Sequence, residues 1–351
     1  GIPIVGLEHL IPQELTFSNF DVDSDNTFTK VFHKGQILFG RRRAYLKKAA
    51  VAEFDGVCSG DITVIEAIPS KVDKNLLPFI IQNDALFDYA VSRSAGGLSP
   101  RVKWEQLADY EIDLPSLEKQ KILADKLWAA YRLKQAYKKL LAATDEMVKS
   151  QFIEMFGNTS KEMLGKFIQV IRGVSYKPSD VKTADDPDTA VILRSNNIND
   201  ANLNTDEVVY IDKNRVSGDQ YLRINDIVVC ASNGSKALVG KAAINKTLTN
   251  QYAHGAFCLL VRPNDNINPV YLNTFFQTSL YKKQIDELAA GSNILNIKQE
   301  HLTNMILPLP IIEEQNKFAI IAEQADKSKF ELRKSIDAID KVIKSLINNV
   351  K

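Results

Sequence analysis

Cysteine is scarce in this sequence. Three cysteines occur in 351 residues, at Cys58, Cys230 and Cys258, and no two of them form a Cys-x-x-Cys pair. An odd number of widely spaced cysteines disfavours a disulfide framework, and the lack of close pairs disfavours a zinc site. We therefore expect an intracellular, cytoplasmic protein whose thiols are reduced.

The chain also lacks long apolar runs and a net charge. No run reaches the roughly 18 apolar residues of a membrane-spanning helix, so we expect no membrane partner and no signal peptide. The 44 Lys and Arg residues nearly balance the 43 Asp and Glu residues, which gives no support to general phosphate binding but leaves room for a locally basic face. The length predicts two globular domains.

Motifs for catalysis are missing as well. Gly234, Gly240 and Lys241 approach a P-loop, but five residues separate the glycines instead of four, and Ala242 replaces the Ser or Thr that would hold Mg²⁺. The sequence contains no Asn/Asp-Pro-Pro-Tyr/Phe methyltransferase motif, and its four histidines show no metal-ligand spacing. We predict a binding protein with no catalytic residues, no metal site and no cofactor of its own.

Two long stretches, 118–155 and 313–351, contain neither glycine nor proline. Their apolar residues recur every three or four positions, which predicts two long helices, each with a coiled-coil seam. Lys134 and Lys329 occupy matching positions within these seams. A seam lysine can fix the register of helix pairing, or its ammonium can extend out of a loose seam into water.

The two stretches belong to an internal repeat. Shifting the first copy by 195 positions places Lys103 on Lys298, Pro115 on Pro310 and Gln120 on Gln315, and the long helices then align without a gap. The chain is thus two copies of one unit, a globular α/β part followed by a long helix. The globular parts diverge much more than the helices, which indicates one frame with two different ligand-binding heads. Residues 164–190 have no counterpart before Gly1, so we expect the first unit to lack its start.

A basic loop lies between predicted strands at 36–39 and 49–52. It carries six candidate contact residues: Arg41, Arg42, Arg43, Tyr45, Lys47 and Lys48. A solvated loop is the commoner explanation of a charge run. The matching loop of the second copy, however, is rich in amide and hydroxyl groups, with Asn233, Ser235 and Lys236. Arginine can bond a guanine edge in two places and asparagine can do so for adenine, so this position is typical of a sequence reader.

Two further loops are candidates. Arg93 and Arg101 flank a Ser- and Gly-rich loop that follows a predicted helix at 76–90, and such loops can present donors to phosphates, although a plain turn is an equal alternative. In the second copy a polar loop follows a predicted strand at 191–193 and contains Arg194, Ser195, Asn196 and Asn197. We also predict a helix at 269–285 and strands at 58–65, 110–114 and 256–261.

The chain resembles a known family. The two-copy layout, the segment 35–48, the segment 58–62 and the Pro-x-x-Glu-x-Gln boundary before each long helix (at Pro115 and Pro310) are similar to the specificity subunit of bacterial and archaeal type I restriction–modification systems. The resemblance covers nearly the whole chain. It implies an α/β (α+β) fold with target recognition domains at 1–114 and 157–309. The long helices at 115–156 and 310–351 would then form an antiparallel coiled coil.

The resemblance also implies a function and partners. Each recognition domain would read one half of a split, asymmetric site in double-stranded DNA, and the paired helices would set the spacing. Methyltransferase (M) subunits would dock on the helices and restriction (R) subunits would join them. S-adenosylmethionine and ATP with Mg²⁺ would be bound by those partners. The loop residues named above would be the DNA contacts.

Two other classes of function stay open at this level. One is a coiled-coil scaffold whose heads bind protein or carbohydrate, and the other is a self-contained nuclease. Neutralising the loop from Arg41 to Lys48 would abolish DNA binding under the first interpretation and leave scaffold assembly unchanged. A nuclease would need carboxylates and a lysine that converge in space, and the sequence gives no sign of them.

Overall fold

The computed structural model describes residues 1–22, 27–184, 186–289 and 296–348. The chain divides into two compact units, the first made of residues 1–139 and 332–351 and the second of residues 140–331. Each long helix contributes one half to each unit. No helix in the described ranges is both long enough and apolar enough to cross a membrane.

The described residues of the first unit form six strands, three short α-helices and the start of a long one. They are β1 (Ile4–Val5), β2 (Lys30–Phe32), β3 (Ile37–Gly40), β4 (Ala49–Val51), β5 (Gly56–Cys58), β6 (Ile62–Ile65), α1 (Leu77–Ile81), α2 (Asp84–Arg93), α3 (Trp104–Ala108) and α4 (Leu117–Phe156). Strand β3 pairs antiparallel with β4 and β6, and β5 lies between β1, which is parallel to it, and β2.

The second unit follows the same plan with more strands. It contains β7 (Lys161–Met163), β8 (Ile168–Arg172), β9 (Thr189–Leu193), β10 (Ile198–Asn199), β11 (Asn202–Leu203), β12 (Val209–Asp212), β13 (Ile227–Cys230), β14 (Ala242–Ile244), β15 (Tyr252–His254), β16 (Cys258–Pro263), α5 (Pro269–Phe275), α6 (Ser279–Ala289), α7 (Gln299–Thr303), β17 (Ile306–Pro308) and α8 (Ile312–Asn348). Strand β13 pairs antiparallel with β14 and β16, and β9 pairs parallel with β15, so the pairings of β3 with β4 and β6 and of β1 with β5 recur.

The central strand of each unit is buried on both faces. Successive residues of a strand point to opposite sides. In β3, Ile37 and Phe39 therefore enter the core beneath α2, where Phe39 stacks on Phe87 with ring centroids 5.3 Å apart, while Leu38 enters the core on the other side. Strand β13 alternates in the same way between two cores. This explains why both strands read as continuous apolar runs in the sequence.

The long helices pair antiparallel in each unit. In the first unit, Leu127 and Tyr131 of α4 pack in one core with Ile347, near the end of α8. In the second unit, Phe152 near the end of α4 packs against Phe318 near the start of α8, with ring centroids 5.5 Å apart. The predicted helices at 118–155 and 313–351 are confirmed, with residues 349–351 outside the described ranges. The α+β repeat with antiparallel long helices is confirmed as well.

Several predicted elements of the globular parts were wrong in detail. The predicted helix at 76–90 is two helices. The first ends at its C-cap, Gln82, and Asn83 caps the second, its side chain accepting a hydrogen bond from Ala85 N–H. The predicted helix at 269–285 is likewise split into α5 and α6. Residues 110–114 form no strand, because no strand of the described residues pairs with them. In the second unit the corresponding segment, β17, is a strand because it pairs with β7. The predicted strand at 58–65 is broken by a turn at 59–61 between β5 and β6.

Candidate nucleic-acid interface

The basic loop of the first unit leaves β3 and folds around a short 3-10 helix, Ala44–Leu46. Arg43 and Lys47 flank this helix with left-handed backbone angles, φ 53° and 52°. Buried Ala44 anchors the loop, and Lys47 O accepts a hydrogen bond from Gln13 N–H at 2.9 Å. Left-handed backbone at two non-glycine residues is uncommon and costs free energy, so the surrounding contacts hold the loop in a defined shape.

Asp61 organises the arginines of this surface. Its Oδ1 accepts a hydrogen bond from Arg101 Nε at 2.6 Å, and its Oδ2 lies 3.4 Å from Arg42 Nη1. The hydrogen bond from Arg101 lowers the pKa of Asp61 below its ordinary value, against the opposing effect of burial. The carboxylate therefore stays charged and fixes the directions of two guanidinium groups.

The basic loop and the Ser/Gly loop after α2 are joined. Arg43 N–H donates to Pro100 O at 2.8 Å, and Ser99 Oγ accepts hydrogen bonds from Arg42 Nε at 3.1 Å and Arg43 Nε at 3.2 Å. The structure thus brings together Arg42, Arg43 and Arg101, which the sequence placed in two separate loops.

The other predicted residues of the first unit have different surroundings. Lys47 Nζ lies 2.5 Å from Asp84 Oδ1, and Lys48 Nζ donates to Leu7 O at 2.7 Å, so both ammonium groups hold the loop in place. Arg41 is partly buried, and its Nε has no hydrogen-bond partner among the described residues. Arg93 is exposed with its guanidinium 5.3 Å from the ring centre of Tyr89. Tyr45 is exposed, so Arg43 and Tyr45 are the two exposed residues among the six predicted contacts of the loop.

In the second unit the two predicted polar loops meet. Asn233 Nδ2 donates to Ser195 Oγ at 2.9 Å, and Asn233 Oδ1 accepts from Ser235 N–H at 2.9 Å. Arg194 reaches across to Glu207 O at 2.7 Å. Asn196, Ser235 and Lys236 are exposed. This surface presents mainly neutral amide and hydroxyl groups, in contrast to the arginines of the first unit.

Asn197 does not fit the prediction that it contacts a ligand. Its side chain is 0% exposed. Its Oδ1 accepts from Arg194 N–H at 2.8 Å and its Nδ2 donates to Asp206 O at 2.6 Å, so its hydrogen-bonding groups are used internally. Asn197 closes the turn that carries Ser195 and Asn196, which makes it a positioning residue.

A groove of about 770 Å³ lies between these loops. Its lining combines the polar groups with apolar ones: Val174, Ser175, Tyr176, Pro178, Val181, Arg194, Ser195, Asn196, Ser232, Asn233, Gly234, Gly255, Ala256, Phe257 and Cys258. Phe257 is 70% exposed. Sequence reasoning missed both aromatic residues of the groove, because a lone Phe inside a predicted apolar strand is usually a core residue.

His254 lies beneath this surface and is fully buried. Its Nε2 is 3.2 Å from Ile171 O, which can only accept, so Nε2 carries the proton of the neutral ring. Burial lowers the pKa of His254 to about 4. The imidazole is therefore neutral near pH 7 and belongs to the core.

Among the described residues, Glu8, His9 and Asp21 are the one group of metal-ligating side chains that converge, and His9 Nδ1 already accepts from Gly6 N–H at 2.9 Å.

Solved structures with the same fold exist. A chain from a type I R-M system, studied for complex assembly and conformational transition, matches with a TM-score of 0.57 at 16% identity, over 99% of this chain and 90% of that one. The S subunit of a type I restriction–modification system from M. genitalium matches with a TM-score of 0.50 at 13% identity, over 98% and 90%. At these identities the likeness shows the fold alone.

Curated relatives match part of the sequence. The StySPI specificity subunit of a type I restriction enzyme from Salmonella potsdam is 38% identical over 157 residues, which are 45% of this chain and 33% of that protein. The EcoKI specificity subunit from Escherichia coli K12 is 37% identical over the same shares. The matched part is thus about a third of the length of these relatives.

The family model described as "Type I restriction modification DNA specificity domain" matches this chain twice, at residues 14–142 and 163–340. The two matches follow the two copies of the internal repeat and cover most of the chain. The chain belongs to the type I restriction modification DNA specificity domain family.

Proposed function

We propose that this chain is the DNA sequence-specificity subunit of a type I restriction–modification complex, a recognition component without catalytic activity. Each copy of the repeat reads one half of a split, asymmetric target in double-stranded DNA. The recognition domains are residues 1–114 and 157–309, and the long helices are residues 115–156 and 310–351.

One observation carries this proposal: two copies of the same strand frame present different polar groups at equivalent positions. Arg42 forms a backbone bridge with Arg101 in the first unit, and Ser232 forms the equivalent bridge with Asn296 in the second. Arginine and asparagine are the residues that recognise guanine and adenine edges in two places at once. One frame with two sets of such residues fits a target with two different halves.

In the first unit we assign DNA contact to Arg41, Arg42, Arg43, Tyr45, Lys47, Lys48, Arg93 and Arg101. Arg43 and Tyr45 are exposed, and we expect them to reach the duplex directly. Asp61 forms ion pairs with Arg42 and Arg101, and these pairs hold the two guanidinium groups in fixed directions. Fixed directions suit base-edge recognition, whereas Lys47 and Lys48 act chiefly by supporting the loop.

In the second unit we assign DNA contact to Arg194, Ser195, Asn196, Asn233, Ser235 and Lys236. Asn196 and Asn233 both line the groove and carry the amide groups suited to adenine. Arg194 and Lys236 supply positive charge for the phosphates, which position a protein on the duplex without reading sequence.

The partners follow from the family. Methyltransferase subunits dock on the long helices and restriction subunits join that core, with S-adenosylmethionine and ATP with Mg²⁺ bound by those partners. Helix α4 has 40 residues, and at 1.5 Å per residue it is about 60 Å long. A helix of this length is long enough to set a spacing of more than one DNA turn between half-sites. The scaffold alternative has no observation in its favour.

The test is methylation mapping in cells that express the full chain with the methyltransferase subunit of its system. We expect a split motif with a fixed gap. Arg43→Ala should relax or lose one half of the motif, and Asn196→Ala the other half. Lys34→Ala is the matched control, because Lys34 is an exposed cation that precedes β3 whereas Arg43 follows it. A motif that is not split would contradict the function, and a motif unchanged by both variants would contradict the contact residues.

A further inference from the structure

The turn between β5 and β6 has an equivalent between β15 and β16. Ser59 N–H donates to Val5 O at 2.9 Å, as Gly255 N–H does to Leu193 O at 2.9 Å. The turns then close in the same way, from Ile62 N–H to Ser59 O at 3.0 Å and from Cys258 N–H to Gly255 O at 2.8 Å.

These bonds place Asp61 and Phe257 at equivalent positions. Asp61 O accepts from Arg41 N–H at 3.0 Å, and Phe257 O accepts from Ala231 N–H at 2.9 Å. Each donor directly follows the central strand of its unit. The position of Asp61, which binds two arginines in the first unit, is therefore occupied by an exposed aromatic ring in the second.

The backbone of Phe257 is held firmly while its ring points outward. Its carbonyl accepts a second hydrogen bond, from Ser232 N–H at 3.1 Å. Leaving such a ring in water forgoes the stabilisation that burial would give. An aromatic ring on a backbone held in this way presents apolar area to a partner, and its two side-chain torsions cost little conformational entropy on binding.

The neighbours of Phe257 indicate what it contacts. Asn233 and Asn196 line the same groove and are suited to an adenine edge. Thymine, which pairs with adenine, displays its 5-methyl group in the same major groove, and phenylalanine is one of the side chains that contact this methyl. An amide beside an exposed phenyl ring thus matches an A·T base pair.

We propose that Phe257 is a specificity-determining residue that contacts the 5-methyl group of a thymine in the half-site read by the second unit. This inference rests on the proposed function. It assigns to the turn after β15 a base-reading role, alongside the polar loops at 194–197 and 232–236. In the first unit the same position acts indirectly, through the arginines that Asp61 holds.

The test uses the methyltransferase complex assembled with the full chain and duplexes that carry the mapped motif. In each duplex one thymine of the second half is replaced by deoxyuridine, which lacks only the methyl group. For one position we expect about four-fold weaker binding by the wild-type complex, the effect of one methyl group no longer buried. Phe257→Ala should bind the thymine and deoxyuridine duplexes equally, and its methylated motif should become degenerate there.

Two variants serve as controls. Phe257→Leu keeps apolar area and should retain part of the preference for thymine. Ile224→Ala removes an exposed apolar side chain that precedes β13, at the end of the strand away from Phe257, and should leave the preference intact. Recognition of the first half by Phe257→Ala reports that the complex is folded.

The outcomes separate the two proposals. A split motif with no deoxyuridine effect at any second-half thymine overturns the role of Phe257 and leaves the function standing. The same holds if Phe257→Ala keeps the full preference for thymine. Absence of any split motif overturns both.

Discussion

Lys329 Nζ lies 2.6 Å from Asp145 Oδ1, a contact between the two long helices within the second unit. The repeat places Lys134 and Asp340 at the equivalent positions, and their Nζ–Oδ1 distance in the first unit is 2.5 Å. Lys329 is 6% exposed, so it does not extend into water. Of the two interpretations of the seam lysines, the structure favours the fixing of register: one lysine–aspartate pair, used twice, aligns the helices.

Replacing Lys329 should destabilise the second unit. Burial acts to lower the pKa of Lys329, but hydrogen bonds to Asp145 and Asp326 outweigh it and raise the pKa, so the lysine stays charged. In Lys329→Met, Asp145 loses its lysine partner and Asp326 keeps only Lys246. We expect a loss of about 1–3 kcal/mol in the free energy of unfolding, less than for a fully buried pair because both carboxylates are partly solvated.

Urea unfolding of the variants measures this. Lys317→Met, on the same helix, removes an exposed lysine that pairs with Glu314 and should leave the free energy of unfolding nearly unchanged. Lys134→Met should fall between the two, since Lys134 pairs with one carboxylate and Lys329 with two. Equal effects of Lys329→Met and Lys317→Met would contradict the role of the buried pair.

The glutamine that ends each Pro-x-x-Glu-x-Gln boundary makes the same hydrogen bonds in both units. Gln315 is buried, its Oε1 accepts from Asn268 N–H at 2.9 Å and its Nε2 donates to Pro310 O at 2.9 Å. Gln120 makes the equivalent bonds with Asp73 N–H and Pro115 O. Gln315→Leu leaves the N–H of Asn268 and the carbonyl of Pro310 without this partner. We expect the free energy of unfolding to fall by about 1–3 kcal/mol. Gln324→Leu, exposed on the same helix, should be near neutral in the same assay.

The periodic and repeated parts of this protein could be predicted from the sequence, and the parts that depend on distant contacts could not. The long helices were placed to within a few residues because their seams persist for ten turns. Asp61 lies 19 residues from Arg42 and 40 residues from Arg101, so no local pattern marks it. The exposure of Phe257 is decided by bonds to Ala231 and Ser232. Asn197 looks like an exposed loop amide in sequence, yet its hydrogen bonds turn it inward.

Protonation of His254 should make the second unit sensitive to acid. Its pKa is about 4 in the folded chain because the ring is buried, against an ordinary value of 6.5. The unfolded chain therefore binds a proton first as the pH falls. The contribution to stability is complete above about pH 6.5 and is lost as the pH falls toward 4, with a slope of at most about 1.4 kcal/mol per pH unit.

Urea midpoints between pH 7 and pH 4.5 test this. His254→Gln should show a shallower fall in stability with pH than the wild type, although it is less stable at pH 7. His33→Gln removes an exposed histidine that lies 3.7 Å from Asp55 and should follow the wild-type curve. If the His254→Gln and wild-type curves are parallel, the buried imidazole does not control the acid response.

The last prediction concerns the negative charge of Asp61 in the first unit. Asp61→Asn removes the negative charge that faces Arg42 and Arg101. Both guanidinium groups then become available to phosphates. We expect the complex to bind unrelated duplex DNA more tightly at low salt, with the slope of log affinity against log salt steeper by about one phosphate contact. Discrimination at the first half-site should fall, because the arginines lose their fixed directions.

Asp55→Asn is the matched control. It makes the same change in net charge, but Asp55 is exposed and precedes β5, whereas Asp61 follows that strand. General electrostatics would steepen the salt slope equally in both variants, whereas a DNA surface centred on Asp61 steepens it in Asp61→Asn alone. Fluorescence anisotropy across a salt series, with the mapped motif and with a scrambled duplex, distinguishes these results. Equal slopes would place the DNA-binding surface of the first unit away from the arginine cluster.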